Sequence, residues 1–281
     1  MYPTPCTCGH SGATNTMTSF LAHRLCTPAS KLLSTTQIIE MIFDVCDLET
    51  IVAVSCTSKY AAGKAWRYMC GRMRFLSKEY FHGGEYLSFI LAACDAVISG
   101  STALHILLPK STTLWSPTDL DIYVPMHCQL QLGHLLKNKG YRLQKQVSTN
   151  KPASKIFTVM TFSKPGKKID VIVCTTDCAV PPIFQEHCTA AMNFITASSI
   201  FCAYPSLTFR GLAMKNSPQL YFSCFSDIGA VALDKYKECG YEFITCPTVH
   251  EFRFTCKCEN CSLTDAGCLW VDIGIVLRAG A

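Results

Sequence analysis

The chain has 281 residues, of which 49% are hydrophobic and only 16% are charged. This composition excludes an intrinsically disordered chain and predicts one or two globular domains with a large buried core. The net charge of +5 at pH 7 permits an anionic partner but does not require one.

The 19 cysteines and the N-terminal sequence bear on the cellular compartment. No basic segment followed by an apolar run opens the chain, so we expect no secretory signal. No apolar stretch approaches the roughly 18 residues that a membrane helix needs. We therefore expect an intracellular protein, cytoplasmic or nuclear, with no membrane partner and with most cysteines reduced and buried.

Residues 1–30 mix Pro, Thr, Ser, Cys and Gly without a sustained period, a pattern typical of a mobile tail. Cys6, Cys8 and His10 carry side chains that bind zinc, but no second pair of ligands follows them. The tail therefore either binds no metal or holds zinc through these three residues.

Residues 31–80 change character and predict helices. Two short runs, 38–46 and 49–58, have apolar residues at helical spacing, and Asp47 is placed to cap the second. Four short groups mark the segment: Leu32-Leu33, Ile42-Phe43, Cys46-Asp47-Leu48 and Val54-Ser55. Taken together they resemble an F-box, the helical module that docks on the Skp adaptor of a ubiquitin ligase. The resemblance implies a Skp-type adaptor as partner, whereas the alternative is a helical cap packed onto the domain that follows.

The helical pattern continues from 65 to 94, with a break at Gly83-Gly84. Its first part carries four basic side chains, which either contact nucleic acid or form a solvated helix face. They are Arg67, Arg72, Arg74 and Lys78.

The following elements predict an α+β fold with a small mixed sheet. In chain order we expect strand 96–99, helix 102–108, strand 119–124, helix 128–139, and strands 141–147, 156–162 and 168–174.

The strand 119–124 alternates polar and apolar residues, so Asp119 and Asp121 project from one face with their carboxylates close together. Two like charges this close repel each other, and a divalent cation normally neutralises such a pair. Hard oxygen ligands select Mg²⁺ or Mn²⁺. A third carboxylate, Asp170, lies in a similar apolar strand downstream.

Gly100-Ser101 after an apolar strand, Asp119-x-Asp121 on the next strand and Asp170 on a later one resemble the nucleotidyltransferase fold of the DNA polymerase beta superfamily. The resemblance covers roughly residues 86–204. It implies that Gly100 and Ser101 bind a nucleoside triphosphate, and that the three aspartates are catalytic residues that hold two metal ions. The segment between Ser101 and Asp119 is longer than is usual in that family.

The activity that this resemblance implies is transfer of a nucleoside monophosphate from an NTP to a hydroxyl acceptor by a two-metal mechanism. The acceptor is a nucleic acid or a protein, and Asp170 would accept its proton. The alternative is an F-box-type ubiquitin-ligase adaptor whose nucleotidyltransferase-like domain is catalytically inactive and only recognises a target.

Residues 137–168 hold nine basic side chains and no Asp or Glu. Some could face a triphosphate or a polynucleotide, while others keep a hairpin soluble. They are Lys137, Lys139, Arg142, Lys145, Lys151, Lys155, Lys164, Lys167 and Lys168.

Toward the C-terminus we expect helices over 187–195 and 227–239, the second ended by Gly240. A cysteine-rich stretch follows, and it either binds zinc or holds buried thiols. Its candidate ligands are Cys246, His250, Cys256, Cys258, Cys261 and Cys268.

The predicted organisation therefore has four parts. They are a mobile tail over 1–30, an F-box-like helical segment over 31–80, a nucleotidyltransferase-like domain over 81–210 and a cysteine-rich extension over 211–281.

Overall fold

The computed structural model describes residues 35–148, 154–216, 227–244 and 262–274. The chain divides into two compact units, residues 1–42 and 43–281. The predicted tail lies outside the described residues. So do the candidate zinc ligands of the tail and of the cysteine-rich stretch, apart from Cys268.

From residue 35, where the described part begins, four helices precede the first strand: α1 (Thr36–Asp44), α2 (Leu48–Ser55), α3 (Lys59–Phe81) and α4 (Tyr86–Ala93). The predicted cap of α2 is present, since the Thr50 N–H donates to Asp47 Oδ1 at 2.8 Å. Ser58 caps α3 in the same way, accepting from the Ala61 N–H at 3.1 Å. The predicted break between α3 and α4 is confirmed.

Ten strands follow in two sheets within the described ranges. Eight form one sheet in the order β10-β7-β6-β1-β2-β5-β4-β3, in which β2 and β5 pair in parallel and the other neighbours are antiparallel. Strands β8 and β9 form a separate parallel pair. The predicted α+β class with a mixed sheet is confirmed, although the sheet is larger than the predicted one. The strands are β1 (Val97–Ser99), β2 (Leu120–Pro125), β3 (Arg142–Ser148), β4 (Ile156–Lys164), β5 (Lys167–Cys174), β6 (Asn193–Ile195), β7 (Ser199–Cys202), β8 (Leu212–Met214), β9 (Glu242–Ile244) and β10 (Leu269–Asp272).

In the described segments between these strands lie four more α-helices: α5 (Gly100–Leu107), α6 (Gln129–Lys137), α7 (Pro205–Thr208) and α8 (Asp227–Glu238). Helix α8 ends just before Gly240, as predicted. None of the helices in the described ranges is long and apolar enough to cross a membrane.

The predicted helix over 187–195 is wrong. The segment forms a 3-10 turn over Thr189–Ala191 and then strand β6, which pairs with β1 and β7. Ala190, Phe194 and Ile195 are all buried. A short apolar run that is buried throughout has neither helical nor strand periodicity, so its type follows from the strands beside it.

Arg72 is neither on a solvated helix face nor available to nucleic acid, because its side chain is buried. Its guanidinium donates to the carbonyl oxygens of His105, Ile106 and Leu108 at 2.9 to 3.1 Å. These carbonyls lie at the C-terminal end of α5, where a cation is favourable. Arg72 therefore fixes the helix whose first residue is Gly100.

The register of the central strands decides which side chains share a face. Ser99 in β1 lies opposite Asp121 in β2, and Asp121 lies opposite Asp170 in β5. Side chains of paired residues lie on the same face of a sheet, and so do those of residues i and i+2 of one strand. Tyr123 and Ile172 therefore lie on the same face as the aspartates. Both belong to a buried apolar cluster that includes stacked phenylalanine rings from β6 and β7. The candidate site therefore lies at the margin of the protein core.

Candidate functional site

The structure brings the three predicted aspartates together. Asp119 immediately precedes β2, Asp121 lies within it, and the parallel register places Asp170 of β5 directly beside Asp121. One carboxylate oxygen from each residue lies within 4.8 Å of the others. Two oxygens, Asp119 Oδ1 and Asp170 Oδ1, are buried and have no hydrogen-bond partner in the described part of the chain.

Burial and mutual repulsion dominate the electrostatics of this cluster. Burial and the neighbouring Asp119 carboxylate raise the pKa of Asp121 to about 7, although the Lys235 ammonium opposes the shift. Burying carboxylate oxygens without hydrogen-bond donors costs free energy. A divalent cation would offset the repulsion between the carboxylates and supply the interactions that these oxygens lack. The residues present therefore fit a hard divalent cation held by oxygen ligands.

The Gly100-Ser101 turn lies against the same carboxylates. Gly100 has φ +67, and a Cβ atom at this position would collide with Asp121 Oδ2. Thr102, in the first turn of α5, donates from Oγ1 to the Asp119 carbonyl at 2.8 Å. The start of α5 and the carboxylate strand are therefore fixed to each other.

Two lysines that the sequence interpretation did not assign to the site lie in it, one at the carboxylates and one at the turn. Lys168 Nζ is 2.6 Å from Asp170 Oδ2 and 3.3 Å from Asp119 Oδ2, and its hydrogen bond to Asp170 raises the pKa of the ammonium. Lys235 Nζ, on α8, lies 3.5 Å from the buried Ser101 Oγ. One lysine ammonium therefore lies against two of the carboxylates, and the other lies against the turn.

Glu186 is a further acidic residue near the cluster that the sequence interpretation missed. The buried Tyr123 hydroxyl donates to Glu186 Oε1 at 2.6 Å, and Tyr123 lies two residues after Asp121 on the same face. Glu186 is also among the charges that raise the pKa of Asp121.

Several lysines of the basic run have structural partners rather than a free surface. Lys164 donates to the Tyr80 carbonyl, Lys167 pairs with Glu79, and Lys139 lies over the Tyr86 ring at 4.1 Å. Arg142 and Lys145 are exposed on strand β3, and Lys151 lies outside the described residues. Among the described members of the run, Lys168 reaches the carboxylate cluster.

Replacing Lys168 with methionine should strengthen binding of Mn²⁺ to the full chain by about three- to tenfold, or roughly 1 kcal/mol. The ammonium competes with an added cation for Asp119 and Asp170, but its side chain is 46% exposed, so solvent screening limits the effect. Titration calorimetry or Mn²⁺ electron paramagnetic resonance measures the affinity.

Lys137→Met is the matched control for this comparison, because Lys137 is exposed on α6. We expect it to leave Mn²⁺ affinity unchanged. Equal or weaker Mn²⁺ binding in Lys168→Met would show that the ammonium does not compete with the cation.

The chain matches no protein-family model, no curated protein and no solved structure.

Proposed function

We propose that the chain is a nucleotidyltransferase that transfers a nucleoside monophosphate from an NTP to a hydroxyl acceptor. The observation that carries the proposal is the convergence of Asp119, Asp121 and Asp170 beside the Gly100 turn, with two buried carboxylate oxygens left without donors. The resemblance of the same residues to the DNA polymerase beta superfamily supports this assignment.

Asp119, Asp121 and Asp170 would hold Mg²⁺ or Mn²⁺ in this proposal. When bound, the cation supplies charge stabilisation on the phosphates and lowers the pKa of an attacking hydroxyl. Aspartate oxygens are the ligands that both cations prefer. All three carboxylates project from the same face of the sheet, because β2 and β5 pair with Asp121 beside Asp170.

The triphosphate would bind at the start of α5. Backbone N–H groups at a helix N-terminus attract anions, and Gly100 lets the backbone approach closely. Ser101 Oγ provides a hydroxyl donor, and Lys235 Nζ, 3.5 Å from it, provides positive charge for the phosphates.

The acceptor hydroxyl would lose its proton to Asp170, while Lys168 holds that carboxylate in place through its 2.6 Å contact. A second basic group, Lys235, lies beside Ser101, where the phosphates would bind. The proposed division of roles is therefore proton transfer at Asp170 and phosphate binding at Ser101 and Lys235.

Titration calorimetry of ATP, GTP, CTP and UTP against the full chain, with and without Mg²⁺, tests the proposal. We expect Mg²⁺-dependent binding of at least one nucleotide to the wild-type chain and none to the Asp119→Ala, Asp121→Ala double variant. Glu238→Ala, which removes an exposed carboxylate on α8, should bind like wild type. Failure of the folded wild-type chain to bind any of the four nucleotides would overturn the proposal.

A second function is an F-box-type adaptor whose nucleotidyltransferase-like domain only recognises a target. The observation that favours it is that Val45, Tyr60 and Phe75, all in the F-box-like segment, are exposed apolar or aromatic side chains. Binding of a purified Skp-type adaptor distinguishes the two functions. An adaptor should lose binding in Val45→Asp and keep it in the Asp119→Ala, Asp121→Ala double variant.

A further inference from the structure

A second group of metal-ligating side chains lies at the other end of β2 from the carboxylate cluster. Asp95, His127 and Cys128 each offer one ligand atom, and these atoms lie within 4.8 Å of one another. At the rise of a β-strand, the backbone from Asp121 to Pro125 alone covers roughly 13 Å. The group is therefore separate from the candidate nucleotide site.

The sheet topology explains why these residues meet. Asp95 leads into β1 from α4, and His127-Cys128 form the 3-10 turn that leaves β2. Because β1 and β2 are antiparallel, with Val97 opposite Tyr123, the start of one strand and the end of the other lie at the same end of the sheet.

A third connection reaches the same place. Strand β5 runs parallel to β2, with Cys174 beside Pro125, so the loop that follows β5 emerges at this end. Asp177 in that loop has its Oδ1 3.9 Å from His127 Nδ1. A distance of 3.9 Å is too long for a hydrogen bond, so this exposed carboxylate adds negative charge beside His127 and does not fix its ring.

A Cys-His-Asp set also occurs in enzymes with a thiol nucleophile, but Cys128 is badly placed for that chemistry. The residue is only 6% exposed, so a substrate larger than a single ion has little access to the thiol.

The same surroundings suit a bound cation. A divalent cation held by Asp95 and Cys128 would neutralise the carboxylate and stabilise a Cys128 thiolate. Sulfur, imidazole nitrogen and carboxylate oxygen together are donors that zinc accepts, whereas Mg²⁺ binds oxygen almost exclusively. The donor set therefore differs in kind from the three-carboxylate cluster.

We propose that Asp95, His127 and Cys128 form a metal site for a divalent cation of the zinc class. Binding forms a metal–sulfur bond at Cys128, and the thiol proton leaves to solvent. The cation links the turn before β1 to the turn after β2. Asp177, in the loop after β5, lies near His127 but is not one of the proposed ligands.

The test uses the full chain, stripped of metal under reducing conditions and titrated with Co²⁺ as a spectroscopic probe for Zn²⁺. The charge-transfer band of a cobalt–thiolate bond reports ligation by cysteine. We expect His127→Ala and Cys128→Ser each to bind one equivalent of Co²⁺ fewer than wild type, or to bind it about 100-fold more weakly. Added Zn²⁺ should displace the wild-type signal.

Matched controls separate this site from the other cysteines of the chain. His134→Ala and Cys56→Ser remove an exposed imidazole and an exposed thiol elsewhere, and both should bind Co²⁺ like wild type. The Asp119→Ala, Asp121→Ala double variant should also keep the Co²⁺ signal, because the two sites are separate.

His127→Ala decides the outcome if Cys128→Ser does not fold, because the His127 side chain is 55% exposed and its loss leaves the core intact. The same Co²⁺ stoichiometry and affinity in His127→Ala and His134→Ala would overturn the proposal. Absence of Co²⁺ and Zn²⁺ binding to the wild-type chain would overturn it as well.

Discussion

Replacing Gly100 with alanine should reduce Mg²⁺-dependent nucleotide binding below detection and lower the free energy of unfolding by about 3 kcal/mol. The residue has φ +67, which costs an L-residue roughly 1–2 kcal/mol. The added Cβ would also collide with Asp121 Oδ2 and lie 3.2 Å from Asp121 Cγ, so the carboxylate or the turn must move. Calorimetry with nucleotide and denaturant unfolding measure the two effects.

Gly140→Ala isolates the backbone part of this effect. Gly140 also has a positive φ, +83, but a Cβ there meets nothing within 4 Å. We expect Gly140→Ala to lower the free energy of unfolding by only the backbone cost of a positive φ, roughly 1–2 kcal/mol, and to bind nucleotide like wild type. Nucleotide binding by Gly100→Ala at wild-type affinity would contradict a role for the turn in the site.

Replacing Phe43 with aspartate should unfold the domain that contains it. The Phe43 ring is fully buried, with its centroid 5.3 Å from that of Tyr68. Truncation of a buried Phe costs about 3–5 kcal/mol, and an unpaired buried charge adds to this, so the loss is comparable with the whole stability of a domain. Circular dichroism and denaturant unfolding report the result.

Val45→Asp is the matched control, because Val45 lies just beyond α1 and is 56% exposed. It should change the free energy of unfolding by less than about 0.5 kcal/mol. The contrast matters for the adaptor function, because Phe43 belongs to the apolar pair of the F-box resemblance. A stable Phe43→Asp variant would show that this side chain is not needed for folding.

The carboxylate cluster was partly predictable because a strand has a period of two. The alternation over 119–124 places Asp119 and Asp121 on one face, and the structure agrees. The position of Asp170 beside them depends on the parallel register of β2 and β5, which no local pattern encodes. The resemblance to a known fold, rather than periodicity, linked Asp170 to the pair.

Lys168 carried a local signal that was available from the sequence. It lies two residues before Asp170 on an apolar strand, and this spacing places both side chains on the same face. Lys235 and Glu186 carried no such signal, because their approach to the cluster depends on contacts between distant segments. Long-range packing therefore supplies the part of the site that sequence reasoning missed.

Burial also explains the other errors. Arg72 follows the pattern of a basic helix face, but its guanidinium binds the last carbonyls of α5, and nothing in the local sequence indicates that partner. The segment over 188–195 is buried throughout, so its strand follows from pairing with β1 and β7 rather than from periodicity.

Strand β3 forms one edge of the eight-stranded sheet, and all seven of its residues are exposed. An edge strand presents unpaired backbone groups to which a strand of another molecule can add, and charged side chains oppose such addition. Arg142 and Lys145 give this edge a positive charge and no acidic residue. These two charges oppose the pairing of this edge with the same edge of a second copy.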